Sequence, residues 1–313
     1  MRMQWESIPV QLRARVEAWL GSPVVSATSQ PKGFSPGVAS RLLTANNRRV
    51  FIKAASTVPN RDVPGIHRVE ARIVQALPES IPAPRLLWTY DEGGEGWFMM
   101  LFEDIPGQHP AQPWREVELV RVISAMATLS SQLTPSPLTE PSVTTASHEV
   151  GTRLNGWQRL HDEQPSQIAR LDGWSSRNLE QLVQLEKMAI GAVEGDTLLH
   201  FDLRADNILL TPEKVWFVDW PQACTGADWV DVVFFAPSVT MQGGPLPEKV
   251  IARHPSVQIT DPAAVTAVVA ALAGFFTHRA LQPPPPGLPT LRPFQASQGL
   301  VTRRWLVERT GWK

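Results

Sequence analysis

The segment HFDLRADNILL (His200 to Leu210), followed by VWFVDW (Val215 to Trp220), constrains this chain more than any other. It sets His-x-Asp-x4-Asn ahead of two short apolar runs, the second ending in another acid, Asp219. The turn TPEK between the runs reverses the chain, so a small hairpin is expected to return Asp219 beside Asn207. Phosphoryl transfer needs oxygen ligands for Mg2+ and a carboxylate beside the incoming hydroxyl. In that chemistry Asn207 and Asp219 are the metal ligands, and Asp202 orients the hydroxyl and accepts its proton. His200 braces the loop backbone. Taken singly, each Asp or Asn is as well explained as a turn former or helix cap. The ordered set is what points to chemistry.

The rest of the chain supplies a frame for it. Ile8, Leu12, Val16 and Leu20 fall at helical spacing, and RVFIKA (Arg49 to Ala54) reads as a strand carrying Lys53. Ile66, Val69, Ile73 and Leu77 mark a helix that also carries Glu70 and is ended by prolines at 78, 82 and 84. Segments 85–90 and 96–102 form a hairpin around DEGGEG. The character changes after FEDIPG, which divides a strand-rich lobe, 1–103, from a helical lobe, 104–313. Helices are expected over 114–133 and 178–192. An exposed Pro/Ser/Thr-rich loop is expected over 133–147, and an extended spacer at QPPPPGLP, 282–289. The fold class is α+β with two lobes.

The catalytic segment resembles that of the aminoglycoside phosphotransferase-like kinases, relatives of the protein kinases, and the resemblance extends more weakly over about Ser26 to Phe235. It implies a two-lobed protein-kinase-like fold, ATP (with GTP left open) and Mg2+ as cofactors, and a lysine paired with a helix glutamate. Lys53 and Glu70 fill those positions. Lys53 meets the α- and β-phosphates as a point charge, although alone it reads equally as a strand-end charge.

GFSPG, Gly33 to Gly37, replaces the three-glycine loop of protein kinases. Either the backbone of Phe34, Ser35 and Gly37 caps phosphate oxygens, with Ser35 adding a hydroxyl, or the segment is an ordinary hairpin turn. Phe102, Glu103 and Asp104 are the hinge that reads the adenine edge. Met99, Met100 and Leu101 before them are core or pocket wall. Arg204 either touches the γ-phosphate or pairs with Asp206. Asp231 resembles the acid that hydrogen-bonds the catalytic-loop backbone, and Asp228 lines the loop or shares that work. A dozen residues from Asp219 to Asp231 leave no room for a peptide-docking segment, so the acceptor is expected to be a small molecule.

Composition narrows the class further. One cysteine, Cys224, excludes an internal disulfide, and the amino terminus MRMQWESIPV lacks the apolar region of a signal peptide. The expected compartment is the cytoplasm. A net charge of -1 gives no general pull toward nucleic acid or membrane, and no obligate protein partner is implied. The longest apolar run, 263–276, is shorter than a membrane span and is expected to be a buried helix. From Val232 to Lys313 there are three acids against eight Lys and Arg. That balance disfavours a polycationic aminoglycoside, although acids between 114 and 185 remain available to one. A neutral or anionic antibiotic, sugar, nucleoside or metabolic alcohol fits better, with antibiotic resistance as one setting. The alternative is an inactive kinase-fold module that binds nucleotide or ligand.

Overall fold

The computed structural model describes residues 3–30, 33, 36–58, 60–94, 96–162 and 169–313. The chain forms two compact units. One comprises Met1–Gln108, Leu209–Pro221 and Pro285–Pro289, the other His109–Ile208, Gln222–Pro284 and Thr290–Lys313.

The first unit is built on an antiparallel sheet of β1 (Val24–Ser29), β2 (Val38–Thr44), β3 (Arg49–Ala55), β4 (Leu86–Asp91) and β5 (Phe98–Glu103), ordered β1-β2-β3-β5-β4. Successive side chains of β3 point to opposite faces. Val50, Ile52 and Ala54 join Met99 and Leu101 of β5 in a core shared with Trp5, Ile8 and helix α1 (Val10–Leu20), which contributes Leu12, Val16 and Leu20. Each large apolar side chain fully buried this way stabilises the fold by roughly 1.5–3 kcal/mol. The helix stops at Gly21, whose φ of 70° is the left-handed conformation of a helix terminator.

Lys53 and Met100 are cross-strand partners on the opposite face, where helix α2 (Val63–Ala76) packs. Thus Met99 and Leu101 are core, and Met100 shares the face of Lys53 with Phe98 and Phe102. Strand β5 is central and covered on both sides. Phe98 through Phe102 are therefore all buried, and the strand reads as one apolar run without alternation.

The hairpin of Ile208–Leu210 and Val215–Phe217 gives most of its length to this first unit. Leu210 exchanges backbone hydrogen bonds with Gln108 (3.0 and 2.7 Å), and the Phe217 N–H donates to Pro82 O (2.8 Å). These bonds place the segment 209–221, which carries the expected metal ligand Asp219, with the sheet, where a division at 103/104 would place it with the helices. They also carry the unit's edge to Gln108.

The second unit is mainly helical. Its long elements are α3 (Glu116–Gln132), α7 (Leu179–Ala192), α8 (Val230–Met241), α11 (Pro262–Leu281) and α12 (Leu291–Thr310), with shorter α4 (Ala146–Thr152), α5 (Gly156–Asp162), α6 (Gly173–Arg177), α9 (Pro247–Ile251) and α10 (Pro255–Gln258) between them. Helix α11 extends five residues beyond the apolar run that marked it. It is long and apolar enough to cross a membrane, yet 61% of its most apolar window is buried inside the protein. It packs against α5, α7 and α12. The Trp157 indole donates to Ala270 O (2.8 Å), and Arg309 Nε donates to Thr266 Oγ1 (3.0 Å). This helix is the centre of the unit.

Two expectations from composition change. The stretch 133–147 is not loop throughout, because Thr144–Thr145 pairs in parallel with Cys224–Thr225, itself antiparallel to Thr197–Leu199. The proline-rich segment is not straight. Gly287 adopts a φ of 78°, and the Leu288 N–H donates back to Pro285 O (3.0 Å), closing a turn that proline alone would not make.

Candidate active site

Two clusters carry the site residues, one in each unit. In the first, Lys53 extends from β3 between two carboxylates. Its Nζ lies 2.6 Å from Glu70 Oε1 on α2 and 2.7 Å from Asp219 Oδ1 beyond the hairpin. Glu70 is buried, whereas the Asp219 side chain is 40% exposed. Burial pushes the Glu70 carboxyl up to about 7 against the pull of Lys53, and the negative charge of Asp219 adds to the rise. The Trp220 backbone N–H works in the other direction. For Lys53, burial opposes the charge, but Asp219 and Glu70 outweigh it and hold the ammonium above its usual value.

Asp219 adopts a φ of 72°, uncommon outside glycine but tolerated best by Asn and Asp. The Trp220 indole N–H donates to Phe217 O (3.0 Å) and pins this reversal. Among the described residues no group of three or more His, Cys, Asp or Glu side chains could hold a metal ion. Mg2+ is held by one or two carboxylates with phosphates and waters completing its shell. The exposed Asp219 carboxylate is an oxygen donor of the required kind.

The nucleotide-contact candidates fall elsewhere in this unit. Phe34 and Ser35 lie outside the described residues. Gly33 has a φ of 88°, and Gly37 lies so close to β3 that a Cβ there would come within 2.5 Å of Ala54 O. No other residue fits at Gly37 without moving the strand that carries Lys53. Phe102 is buried, its ring centroid 6.0 Å from Lys53 Nζ. The Glu103 N–H already donates to Arg85 O (3.0 Å), and its carboxylate accepts from the Arg85 backbone (2.9 Å), so Glu103 is committed to the sheet. Asp104, beyond the strand, pairs with Arg41 (3.3 Å), which also donates to Ile105 O (2.9 Å) and fixes the segment's exit.

In the second unit the loop His200–Asn207 is held from below. Both oxygens of Asp231, in the first turn of α8, accept backbone N–H bonds from His200 and Phe201, each at 2.8 Å. Burial raises the Asp231 carboxyl to about 6, while these two donors pull it down. Phe201 has a φ of 63°, an outlier for a bulky residue, and its ring packs 4.8 Å from Phe234. The two bonds to Asp231 over-determine that strained turn. The Asp202 N–H faces His200 Nδ1 at 3.4 Å. Asn207 Nδ2 donates to Asp202 O (2.8 Å), which fixes the amide.

Arg204 is clamped. Its Nε and Nη2 each donate to Asp206, both at 3.0 Å, and Nη1 donates to Asp202 Oδ1 at 2.7 Å. The guanidinium carbon sits 5.5 Å from the ring centroid of Phe294 on α12. The pairing of Arg204 with Asp206 is present, and the guanidinium reaches Asp202 as well. Asp228 accepts from Ser256 Oγ (2.6 Å) and lines a small cavity together with Asp231 and with Leu203 of the loop. Sequence reasoning missed Phe294, Trp220 and Arg41 as supports. Only Trp220, inside the motif, carried a local signal.

The comparisons bear on both clusters. A family model described as "Phosphotransferase enzyme family" matches residues 31–283. No curated protein sequence matches the chain. Among solved structures the chain resembles a choline/ethanolamine kinase family protein from Mesorhizobium loti, with a TM-score of 0.60, 15% identity, and 95% and 94% of the two chains covered. It also resembles an aminoglycoside phosphotransferase from Alicyclobacillus acidocaldarius (TM-score 0.59, 15% identity, 92% of each chain). A third is the amicoumacin kinase hAmiN, solved with AMP-PNP, Ca2+ and Ami (TM-score 0.59, 12% identity, 91% and 88% covered). At such identities the structures establish a protein-kinase-like fold, and the sequence match adds the lineage. The chain belongs to the phosphotransferase enzyme family and is a small-molecule kinase.

Proposed function

We propose that this kinase uses ATP and transfers its γ-phosphoryl group to a hydroxyl of a small acceptor. The observation that carries the reading is the ammonium of Lys53 held between Glu70 and Asp219 at 2.6 and 2.7 Å. A lysine so buried and so paired is poised for polyanionic phosphate, and Asp219 would hold a cation. Mg2+, when bound, neutralises charge on the β- and γ-phosphate oxygens. We assign Asp219 and Asn207 as its oxygen donors and the Gly33–Gly37 segment as the phosphate cap. The backbone around Phe102, Glu103 and Asp104 reads adenine.

Asp202 orients the acceptor hydroxyl and takes its proton as the bond to phosphorus forms. Arg204 holds the Asp202 carboxylate in one position, and Asp231 with His200 holds the loop. Binding and alignment of the reactants contribute most to rate, roughly 7–11 kcal/mol in well-oriented systems. A buried thiol at Cys224, raised by its burial, fits the reducing cytoplasm as the working compartment.

ADP release from a panel of hydroxylated antibiotics, sugars and alcohols tests the reading. Wild type is expected to turn over at least one of them, with phosphate found on oxygen. Lys53→Met and Asp219→Asn are expected to bring turnover to background. Turnover that survives Asp219→Asn would overturn it.

A further inference from the structure

The residues just before and just after the first unit gives way to the second tie down the turn that carries Asn207. In the first unit a Cβ at Gly107 would come within 2.9 Å of Leu209 Cβ, so glycine is what lets Gln108 exchange its backbone bonds with Leu210. The next residue, His109, opens the second unit, and there the tie passes from backbone to side chain. His109 Nδ1 lies 2.9 Å from Ile208 O and 3.2 Å from Ala205 O. Both neighbours are carbonyl oxygens and can only accept. Nδ1 therefore carries the hydrogen and shares it between them as a three-centre bond.

The two carbonyls stand on either side of Asn207. Ala205 opens the single 3-10 turn that Asn207 ends, and Ile208 is the residue after it. Ala205 O also accepts the Ile208 N–H that closes the turn, so the imidazole adds a second tie to a turn already made. Ala205, Asn207 and Ile208 are all buried. The other bonds of Asn207 run back to the loop before it, from its N–H to Arg204 O (2.9 Å) and from Nδ2 to Asp202 O (2.8 Å). His109 alone of these partners comes from a distant part of the chain, about a hundred residues upstream.

We propose that His109 is a positioning residue for the metal site: it fixes the backbone on both sides of Asn207 and so holds the amide oxygen where the cation is bound. The inference rests on the phosphotransferase reading, in which Asn207 is a ligand of Mg2+, and adds to it a residue that never touches the ion. Mg2+ demands near-ideal octahedral placement of its donors at about 2.0–2.1 Å, which makes the backbone behind a donor part of the site.

Electron paramagnetic resonance on the full chain, with equimolar AMP-PNP, follows the binding of Mn2+ as the probe ion, and AMP-PNP affinity is measured separately in EDTA. His109→Leu is expected to weaken Mn2+ binding about tenfold, as is usual for residues behind a metal ligand, with AMP-PNP affinity in EDTA unchanged. His109→Asn, whose amide N–H2 falls near the place of Nδ1, is expected to recover most of that loss. In an Asn207→Ala background His109→Leu is expected to add nothing, because its effect passes through Asn207. If His109→Leu does not fold, His109→Gln, whose amide lies beyond the Nδ1 position, replaces it in each comparison. A folded variant with wild-type Mn2+ affinity overturns the inference. So does a full further loss in the Asn207→Ala background, which would mark a brace of the fold alone. A wild type that binds AMP-PNP but no Mn2+ would strike Asn207 as a metal ligand and take the inference with it, whereas one that binds neither would strike the kinase reading itself.

Discussion

The Lys53 cluster and the Arg204 cluster use the same charges in opposite ways. Each sets one cation between two carboxylates. Around Lys53 the carboxylates come from Glu70 and Asp219, 17 and 166 residues distant, and the ammonium is a point charge that can exchange partners. Around Arg204 they come from Asp202 and Asp206, two residues to either side, and a planar fork fixes three bonds at once. The first arrangement is suited to yielding a carboxylate to an incoming cation. The second is suited to keeping one still.

Breaking the exchangeable cluster is expected to have the largest effect. Asp219→Asn should lower kcat by several decades, because the charge proposed to receive the metal is lost. Lys53→Met should do the same and also leave Glu70 buried without its cation. Removing one partner of a buried pair costs about 3–5 kcal/mol when the other stays charged. The Glu70 carboxyl, already raised to about 7, takes a proton instead near neutrality, so the stability loss of Lys53→Met should be smaller at pH 6 than at pH 8.5. Thermal melts at the two pH values check this, and an equal loss at both would show that Glu70 does not titrate there.

The fixed cluster should give graded losses. Asp202→Asn removes the proposed proton acceptor and should cost about two to four decades in kcat. Arg204→Ala should cost less and leave nucleotide affinity near wild type, since its bonds run to Asp202 and Asp206. Asp206→Asn sharpens the comparison, because it loosens the fork without touching Asp202. A kcat drop of about tenfold with unchanged KM for ATP marks a positioning role. An unchanged kcat in both variants would reduce Arg204 to a surface ion pair.

The same contrast governs what the sequence could show. The Arg204 cluster is local, so His200 to Asn207 was legible as one motif, and alternation in RVFIKA was enough to put Lys53 on a strand face. That Asp219 meets Lys53 depends on pairings at Gln108 and Pro82, which no local pattern encodes. The division at 103/104 rests on a change of composition, which carries no record of those pairings. Phe294 was invisible because its contact with Arg204 spans ninety residues and an aromatic on a helix is ordinarily core. The turn in the proline-rich segment rests on one glycine among residues that otherwise favour extension.

The smallest effect on catalysis, and the clearest on stability, is expected at Asp231, which touches neither cluster's charges but holds the loop of one. Its carboxyl titrates near 6 in the folded protein because of burial, against an ordinary value of 3.8. A folded value above the unfolded one means that the folded state binds the proton more tightly. The contribution is full below the unfolded value and is lost as pH rises from about 4 to 6. Asp231→Asn is neutral throughout and should flatten this part of the stability profile. It also turns an amide N–H2 toward His200 N or Phe201 N, leaving a buried donor without an acceptor at a cost of about 1–3 kcal/mol. The variant should therefore melt below wild type at pH 4, with the gap narrowing by pH 7. A gap that widens over that range would mean that the two backbone bonds outweigh burial and that the carboxylate is held ionised, as a brace at the left-handed Phe201 would then require.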